Sequence, residues 1–322
     1  MKLLFYLTLP FYLASALQAQ TPSPGYRLSG GSEYGLSLSV SQNTVTEAGG
    51  IEQNVSLDIS GIYWFRVDST DLEGNYMISV HFSHLALSMV APLLNISLNP
   101  GTTSGKTLQN YLDYMENKYW QIRMAPSGKI LEISGLKGLF NNMYSLPASE
   151  PGEQEVIIKT LSEAFGEEAM YSFSNMVLNI YPDVPATYRW ETVNTHYINT
   201  RPVTLSNNWY FSINKSGQRL IQGLGLIFSD YSDTIVQNGI SVCSAVKGNQ
   251  TYDYIADPET GWLLSGNSRQ RIVVTNLILN NPSFPQGLEV PSYTETLYIL
   301  KEEQKPQAKE TEHSDRKGKK RK

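Results

Sequence analysis

Few residues in this chain have the type and spacing that chemistry needs. Three of the four histidines lie in its body, at His81, His84 and His196. His81 and His84 are three apart within a strand pattern, so alternation directs them to opposite faces rather than to one metal. His196, in Asn194-Thr195-His196-Tyr197, has no carboxylate or histidine at ligand spacing, and all three read as surface or satisfied histidines. Ser134-Gly135-Leu136-Lys137 and Ser212-Ile213-Asn214-Lys215 match the Ser-x-x-Lys spacing of serine acyl enzymes. Their companion Ser-Asp-Asn and Lys-Thr-Gly elements are missing, and no Gly-x-Ser-x-Gly elbow is present. Glu167-Glu168 and Glu302-Glu303 read as solvated faces. Gly101-Thr102-Thr103-Ser104-Gly105-Lys106-Thr107 has three residues between its glycines, where a phosphate-binding loop needs four. The single cysteine, Cys243, lies between apolar neighbours, reads as a small buried hydrophobe and allows no disulfide within the chain. The expectation is a protein without catalytic apparatus, metal or cofactor; the enzymatic alternative is a hydrolase using dispersed carboxylates or Ser134.

What remains is apolar. Leu136, Leu139, Phe140 and Met143 recur at three and four residues, as do Ile157, Ile158, Leu161 and Phe165, and again Met170, Phe173, Met176 and Val177. Each set is one face of a helix. Three apolar faces in one stretch must bury against something. The ordinary outcome is a core against a sheet. The functional alternative makes Phe140, Met143, Phe165, Met170, Phe173 and Met176 the lining of a ligand cavity, where flexible methionines suit varied apolar ligands.

Nearly everything else alternates with the strand period. Leu36, Leu38 and Val40 share a face, as do Val55, Leu57 and Ile59. Tyr76, Ile78, Val80 and Phe82 face one side, with Met77, Ser79, His81 and Ser83 opposite. After the helical stretch, strands are expected from Tyr188, from Asn208 to Ile213, from Leu220 to Phe228, from Ser241 to Val246 and from Arg271 to Leu279, with Arg201-Pro202-Val203 as a break. An extra helix is expected near Thr107 to Tyr119. The second half echoes the first: Tyr63-Trp64-Phe65 matches Trp209-Tyr210-Phe211, and the turn Ala125-Pro126-Ser127-Gly128 matches Asp257-Pro258-Glu259-Thr260-Gly261. Internal repetition accounts for this, and so would a coincidence of turn signals in a β-rich chain.

The fold expected is therefore α+β and β-rich: a large curved antiparallel sheet, a half-barrel, with a central helical insert on its concave face. One domain spans 20–300, with a first half at 26–135, the insert at 136–181 and a second half at 182–300. Lys2, the apolar run Leu3–Leu13 and the small residues up to Ala19 form a secretory signal at 1–19, with Ala16 as the second cleavage choice. The apolar run is shorter than the ~20 residues of a membrane-spanning helix. The formal charge of −5 conceals a basic end, since Lys301–Lys322 holds nine Lys/Arg against five Asp/Glu. This end, 301–322, is expected to be a disordered, dispensable charged tail. The acidic remainder argues against nucleic acid as a partner.

The Pro126-Ser127-Gly128 turn, the helical middle, Tyr181-Pro182 followed by Trp190, and Asp257 with Thr260-Gly261 resemble an uncharacterised family of exported envelope proteins of Bacteroidota, domain of unknown function 6263. The likeness covers roughly 26–300 and rests on turn and aromatic signatures. It implies a half-barrel like those of lipid carriers, and it transfers no catalytic residue. This chain lacks the anchoring cysteine of the lipoprotein members. The functional expectation is a non-enzymatic protein of the periplasm or exterior that binds a lipid, another apolar small molecule or an apolar partner segment. The alternative is a structural envelope protein that binds a protein partner.

Overall fold

The computed structural model describes residues 24–304, apart from 49, 93–95, 99–101, 148–151, 185, 187, 199–200, 232–233, 238–239 and 281–283. The proposed signal at 1–19 and residues 305–322 of the tail lie outside the described residues.

The first half supplies β1 (Glu33–Ala48), β2 (Ile51–Thr70), β3 (Tyr76–Ala91), β4 (Ile96–Leu98), α1 (Thr103–Met115), β5 (Trp120–Met124) and β6 (Ile130–Ser134). The insert is α2 (Leu136–Met143), α3 (Glu153–Phe165) and α4 (Glu167–Val177). The second half follows as β7 (Arg189–Ile198), β8 (Arg201–Ile213), β9 (Arg219–Ser229), β10 (Ile235–Gln237), β11 (Ile240–Ala256), β12 (Leu263–Leu279) and β13 (Leu288–Glu303). All the strands join one curved, open antiparallel sheet of 13 strands, ordered β6-β5-β3-β2-β1-β13-β12-β11-β9-β8-β7, with β4 on β3 and β10 on β11. The expected half-barrel is what forms.

The order carries the repeat. Strands β1-β2-β3-β5-β6 and β7-β8-β9-β11-β12 are two meanders laid side by side in the same sense, and β13 pairs with β1 on one flank and β12 on the other. Each meander has one short strand off its path, β4 or β10. The matched motifs fall at equivalent places, Tyr63-Trp64-Phe65 in β2 and Trp209-Tyr210-Phe211 in β8. The first meander ends at one edge of the sheet and the second begins at the other, so the insert must carry the chain across the concave face.

Why it stays there follows from its apolar faces. Phe173 stacks on Tyr63 with ring centroids 5.1 Å apart, and Phe165 meets Phe82 at 5.7 Å. Burying each such side chain contributes about 1.5–3 kcal/mol. Helix α4 begins with Glu167 and Glu168 in its first turn, where carboxylates favour the positive end of the helix dipole. It also occupies the seam between the edges. On one side Tyr171 lies beside the Ile133 backbone of β6. On the other side Tyr197 N–H of β7 donates to Ser172 Oγ at 3.0 Å, and Asn175 Nδ2 donates to Thr195 O at 2.5 Å. One helix thus occupies backbone groups of edge strand β7 and sits beside edge strand β6, edges that would otherwise template pairing with another chain.

The two matched turns meet at one end of the sheet, its base. Tyr26 N–H donates to Pro126 O at 2.9 Å and Arg27 N–H to Thr260 O at 2.7 Å. Both turns hold a glycine at positive φ, Gly128 at 92° and Gly261 at 74°, a region that L side chains avoid. Asp257 Oδ1 accepts from Glu259 N, Thr260 N and Thr260 Oγ. Burial pushes its carboxyl pKa up, but these hydrogen bonds outweigh it and hold the group below the usual carboxylate range.

Several local expectations are corrected. Helix α1 starts at Thr103, inside the glycine-bearing loop, because Thr102 Oγ caps it by accepting from Gly105 N at 2.9 Å; Tyr119 lies beyond its end. Arg201-Pro202-Val203 is not a break but the start of β8, where Pro202 stands opposite Tyr197 near the strand end and removes little of the ladder. Strand β11 runs unbroken from Ile240 to Ala256. Strand rather than the expected tail continues through 301–303, where Lys301, Glu302 and Glu303 pair with Ser37, Leu36 and Gly35.

Candidate functional site

The predicted lining residues are drawn together, but into packing. Phe140, Met143, Phe165, Met170, Phe173 and Met176 are all buried in one continuous core. Met176 also receives polar contacts, with Tyr254 Oη donating to its carbonyl at 3.0 Å and Gln270 Nε2 lying 3.4 Å from its sulfur.

That last contact leads to a feature no single strand reveals. Following the register across the sheet, Met89 faces Leu57, then Gln42, Thr296, Gln270, Gln250, Gly225, Asn207 and Thr192. Direct partners share a face, so this is one inward row. Its residues are polar on six strands, and Thr296, Gln270, Gln250, Asn207 and Thr192 are buried. Gln270 Nε2 donates to Gln250 Oε1 at 3.0 Å, and Gln250 Nε2 to Ser268 Oγ at 2.9 Å. Tyr252 Oη donates to Asn207 Oδ1 at 2.8 Å, and Trp209 Nε1 to Thr192 Oγ1 at 2.9 Å. Toward the base the next inward row is aromatic, with Tyr298, Tyr252, Trp209 and Trp190 in register across Ser268 and Gly223.

Away from the base the inward face becomes mixed. One row runs Val55, Thr44, Thr294, Ile272, Gly248, Ile227, Leu205, Asn194; beyond it Gln53, Thr46, Ser292, Val274, Val246 and Ser229 stand in register, and on the far strands Val203 stands opposite His196. On β8 to β12 these rows hold a buried apolar strip of Val203, Leu205, Ile227, Val246, Ile272 and Val274. On β1 to β3 the inward residues Gln42, Thr44, Val55, Leu57 and Met89 are only partly buried.

His196 corrects the expectation of a surface or satisfied histidine. It is 4% exposed, its Nδ1 has no partner among the described residues, and burial lowers its pKa to about 4. His81 is buried near Glu33, with Nε2–Oε1 at 3.7 Å, whereas His84 is exposed at φ 54° beside a register shift. Ser134 and Lys137 are both exposed, and no hydrogen bond joins them among the described residues. Cys243 is buried and free, as expected. No cluster of three metal-ligating side chains occurs among the described residues.

The outward face has its own apolar feature. Leu224, Leu226 and Phe228 of β9 are 58%, 60% and 50% exposed, in alternation with buried Ile221 and Ile227. Leu226 also lines a shallow concavity of about 640 Å³ with Val45, Val273 and Tyr293. No described helix is long and apolar enough to cross a membrane.

No curated protein matches this chain in sequence. Among solved structures it is similar to the chain in "Lipid-protein interactions in lipovitellin", at 9% identity and a TM-score of 0.48, over 86% of this chain. It spans only 26% of that chain. It is also similar to the COG4313 outer membrane channel from Pseudomonas putida F1, at 10% identity and a TM-score of 0.20, over 88% of this chain and 99% of the channel. The model of the family of unknown function DUF6263 matches residues 73–263, from the β2–β3 turn to the start of β12, and the chain belongs to that family.

Proposed function

We propose that the concave side of the half-barrel binds a lipid-like or other apolar ligand, without catalysis, in an exported protein. The observation that carries this reading is the inward face of β1 to β3 away from the base. There Val55, Leu57 and Met89 stay partly exposed beside the threonines of β1, and the row of Val55 continues as a buried apolar strip on β8 to β12. An apolar surface of this kind gains ~25 cal/mol per Å² on covering, whatever the ligand's detailed shape. The six residues predicted from the helices would form the far wall of the ligand space.

Native mass spectrometry of the protein purified from its own envelope, with solvent extraction, tests the reading. Leu57→Glu and Met89→Glu are suitable variants, because both positions are partly exposed and a carboxylate there can reach water. The expected result is a co-purifying apolar compound that both variants lose while keeping the parent circular dichroism. A ligand-free mass together with no uptake of fluorescent fatty acids would overturn it.

The second reading is a structural protein that docks a protein partner on its outward face, favoured by the exposed row Leu224, Leu226 and Phe228. Crosslinking from Thr251 or Ser206, which stand opposite Leu224 and Leu226, would trap such a partner.

A further inference from the structure

The inward faces of β7 and β8 carry an unusual column of unsatisfied nitrogens. Trp190 Nε1, Asn194 Nδ2, His196 Nδ1, Arg201 Nη1 and Asn207 Nδ2 are all buried atoms with no hydrogen-bond partner among the described residues. The pairing places them on one face. Trp190, Asn194 and His196 alternate on β7, while Arg201 and Asn207 keep step with Val203 and Leu205 on β8. His196 stands opposite Val203 and Asn194 opposite Leu205, so Arg201 is diagonal to His196 and Asn207 diagonal to Asn194. Diagonal neighbours of this kind lie about 7–8 Å apart.

Two of the amides have their oxygens committed. Asn207 Oδ1 accepts from Tyr252 Oη, and Asn194 Oδ1 accepts from Asn179 Nδ2 at 2.9 Å. What these two amides, Trp190 and Arg201 offer is therefore N–H. A buried donor left unpaired loses its hydration with no return, and a charged one loses more, so a column of them calls for an acceptor. No described carboxylate pairs with Arg201. Beside the column, the apolar strip from Leu205 and Val203 runs across β9 and β11 to Ile272 and Val274, four strand spacings or about 19 Å from β7.

We propose that Arg201, His196 and Asn194 form the head-group site of the concave face and take the oxyanion of an acyl ligand, a carboxylate or a phosphate ester, whose chain lies along the strip. This deepens the apolar-ligand reading and rests on it. Asn207 and Trp190, farther toward the base, receive a second acceptor oxygen of the same ligand.

The test uses the full chain and three probes: myristate, methyl myristate, and inorganic phosphate or acetate alone. Binding is measured by displacement of a fluorescent fatty acid, on the parent protein, Arg201→Gln and Arg201→Lys. The acid should bind about tenfold tighter than the ester, the worth of one charge-assisted hydrogen bond. The preference should vanish in Arg201→Gln and be largely kept in Arg201→Lys. Arg201 is partly exposed, and circular dichroism verifies that each variant folds. Equal binding of acid and ester by the parent would overturn the head-group site while leaving the apolar reading standing, the donors being satisfied by water. Displacement by phosphate or acetate at concentrations as low as myristate would overturn the acyl ligand in favour of a free anion. Failure of every acyl probe would remove the apolar reading itself.

Discussion

Tyr26 and Tyr181 meet edge to face at the base of the sheet, with ring centroids 4.9 Å apart, where the two matched turns are held together. The Tyr26 N–H reaches the first turn at Pro126 O, while its neighbour Arg27 reaches the second at Thr260 O; Tyr181 alone spans both, its N–H donating to Ser127 O at 3.2 Å and its hydroxyl to Gly261 O at 2.7 Å. The Tyr26 hydroxyl, by contrast, is buried with no hydrogen-bond partner among the described residues. The two phenols should therefore respond oppositely to loss of oxygen. Tyr181→Phe strands a buried carbonyl and should lower the unfolding free energy by about 1–3 kcal/mol. Tyr26→Phe removes an unsatisfied group while keeping the ring, and should be neutral or stabilising. Urea denaturation of the two variants checks both, and equal losses would show that the ring contact rather than the hydrogen bonds holds the base.

The end of β13 makes a prediction by position. Removing everything after Gln304 leaves the sheet whole and should leave the melting temperature within a degree or two. Removing everything after Leu300 also deletes Lys301, Glu302 and Glu303, which pair with β1, and Lys301 pairs with Ser265 of β12 as well. Strand β13 joins the two meanders, so this shorter chain should melt several degrees lower, a loss of about 1–2 kcal/mol in a domain of this size. Scanning calorimetry of the two truncations distinguishes them.

Helix α4 guards the edge strands, and that role is separable from its core packing. Ser172→Ala with Asn175→Ala removes the side-chain hydrogen bonds to Tyr197 and Thr195 and leaves Phe173 and Met176 in place. The freed β7 backbone should then pair with other chains. Light scattering at rising protein concentration should show association in the double variant and none in the parent, at similar helix content. A double variant that stays monomeric would assign the edge protection to other parts of the molecule.

The repeat was legible because its marks are local. Ala125-Pro126-Ser127-Gly128 and Asp257-Pro258-Glu259-Thr260-Gly261 each need a glycine at positive φ, and that need is written in the residue type. The helical insert was legible for a similar reason, since Leu136, Leu139, Phe140 and Met143 carry their period with them. The polar row was not. Gln42, Thr296, Gln270, Gln250 and Asn207 come from five strands, and each alone reads as a surface residue. Only the long-range register, with Gly35 opposite Glu303, brings them into line. A faint signal existed in Gln250, which keeps phase with Tyr252 and Tyr254 and so stands on the apolar side of its strand. For His196 even that was lacking, because Trp190, Thr192 and Asn194 share its face and the apolar alternation that marks an inward side is absent.

The buried imidazole of His196 sets a pH window. Its pKa falls from the ordinary 6.5 to about 4 because burial penalises the charged form. In the unfolded chain it titrates near the ordinary value. Above that value the imidazole is neutral in both states and costs nothing. As pH drops from 6.5 toward 4, the unfolded state takes up a proton that the folded state refuses, so the unfolded state binds more protons and stability falls. Below about 4 the folded state is protonated too and the loss levels off, at about 3 kcal/mol for a shift of this size. Carboxylates such as Asp257, held low by its hydrogen bonds, add their own loss at more acidic pH, so the histidine is isolated by difference. His196→Phe keeps a planar ring of similar reach and does not titrate. The gap in unfolding free energy between parent and variant should be flat above pH 7 and should move in favour of the variant between pH 6.5 and 4. A gap that stays constant across that window would mean that His196 is protonated as readily in the folded protein as in the unfolded chain, and that its surroundings admit water or an anion beside Nδ1.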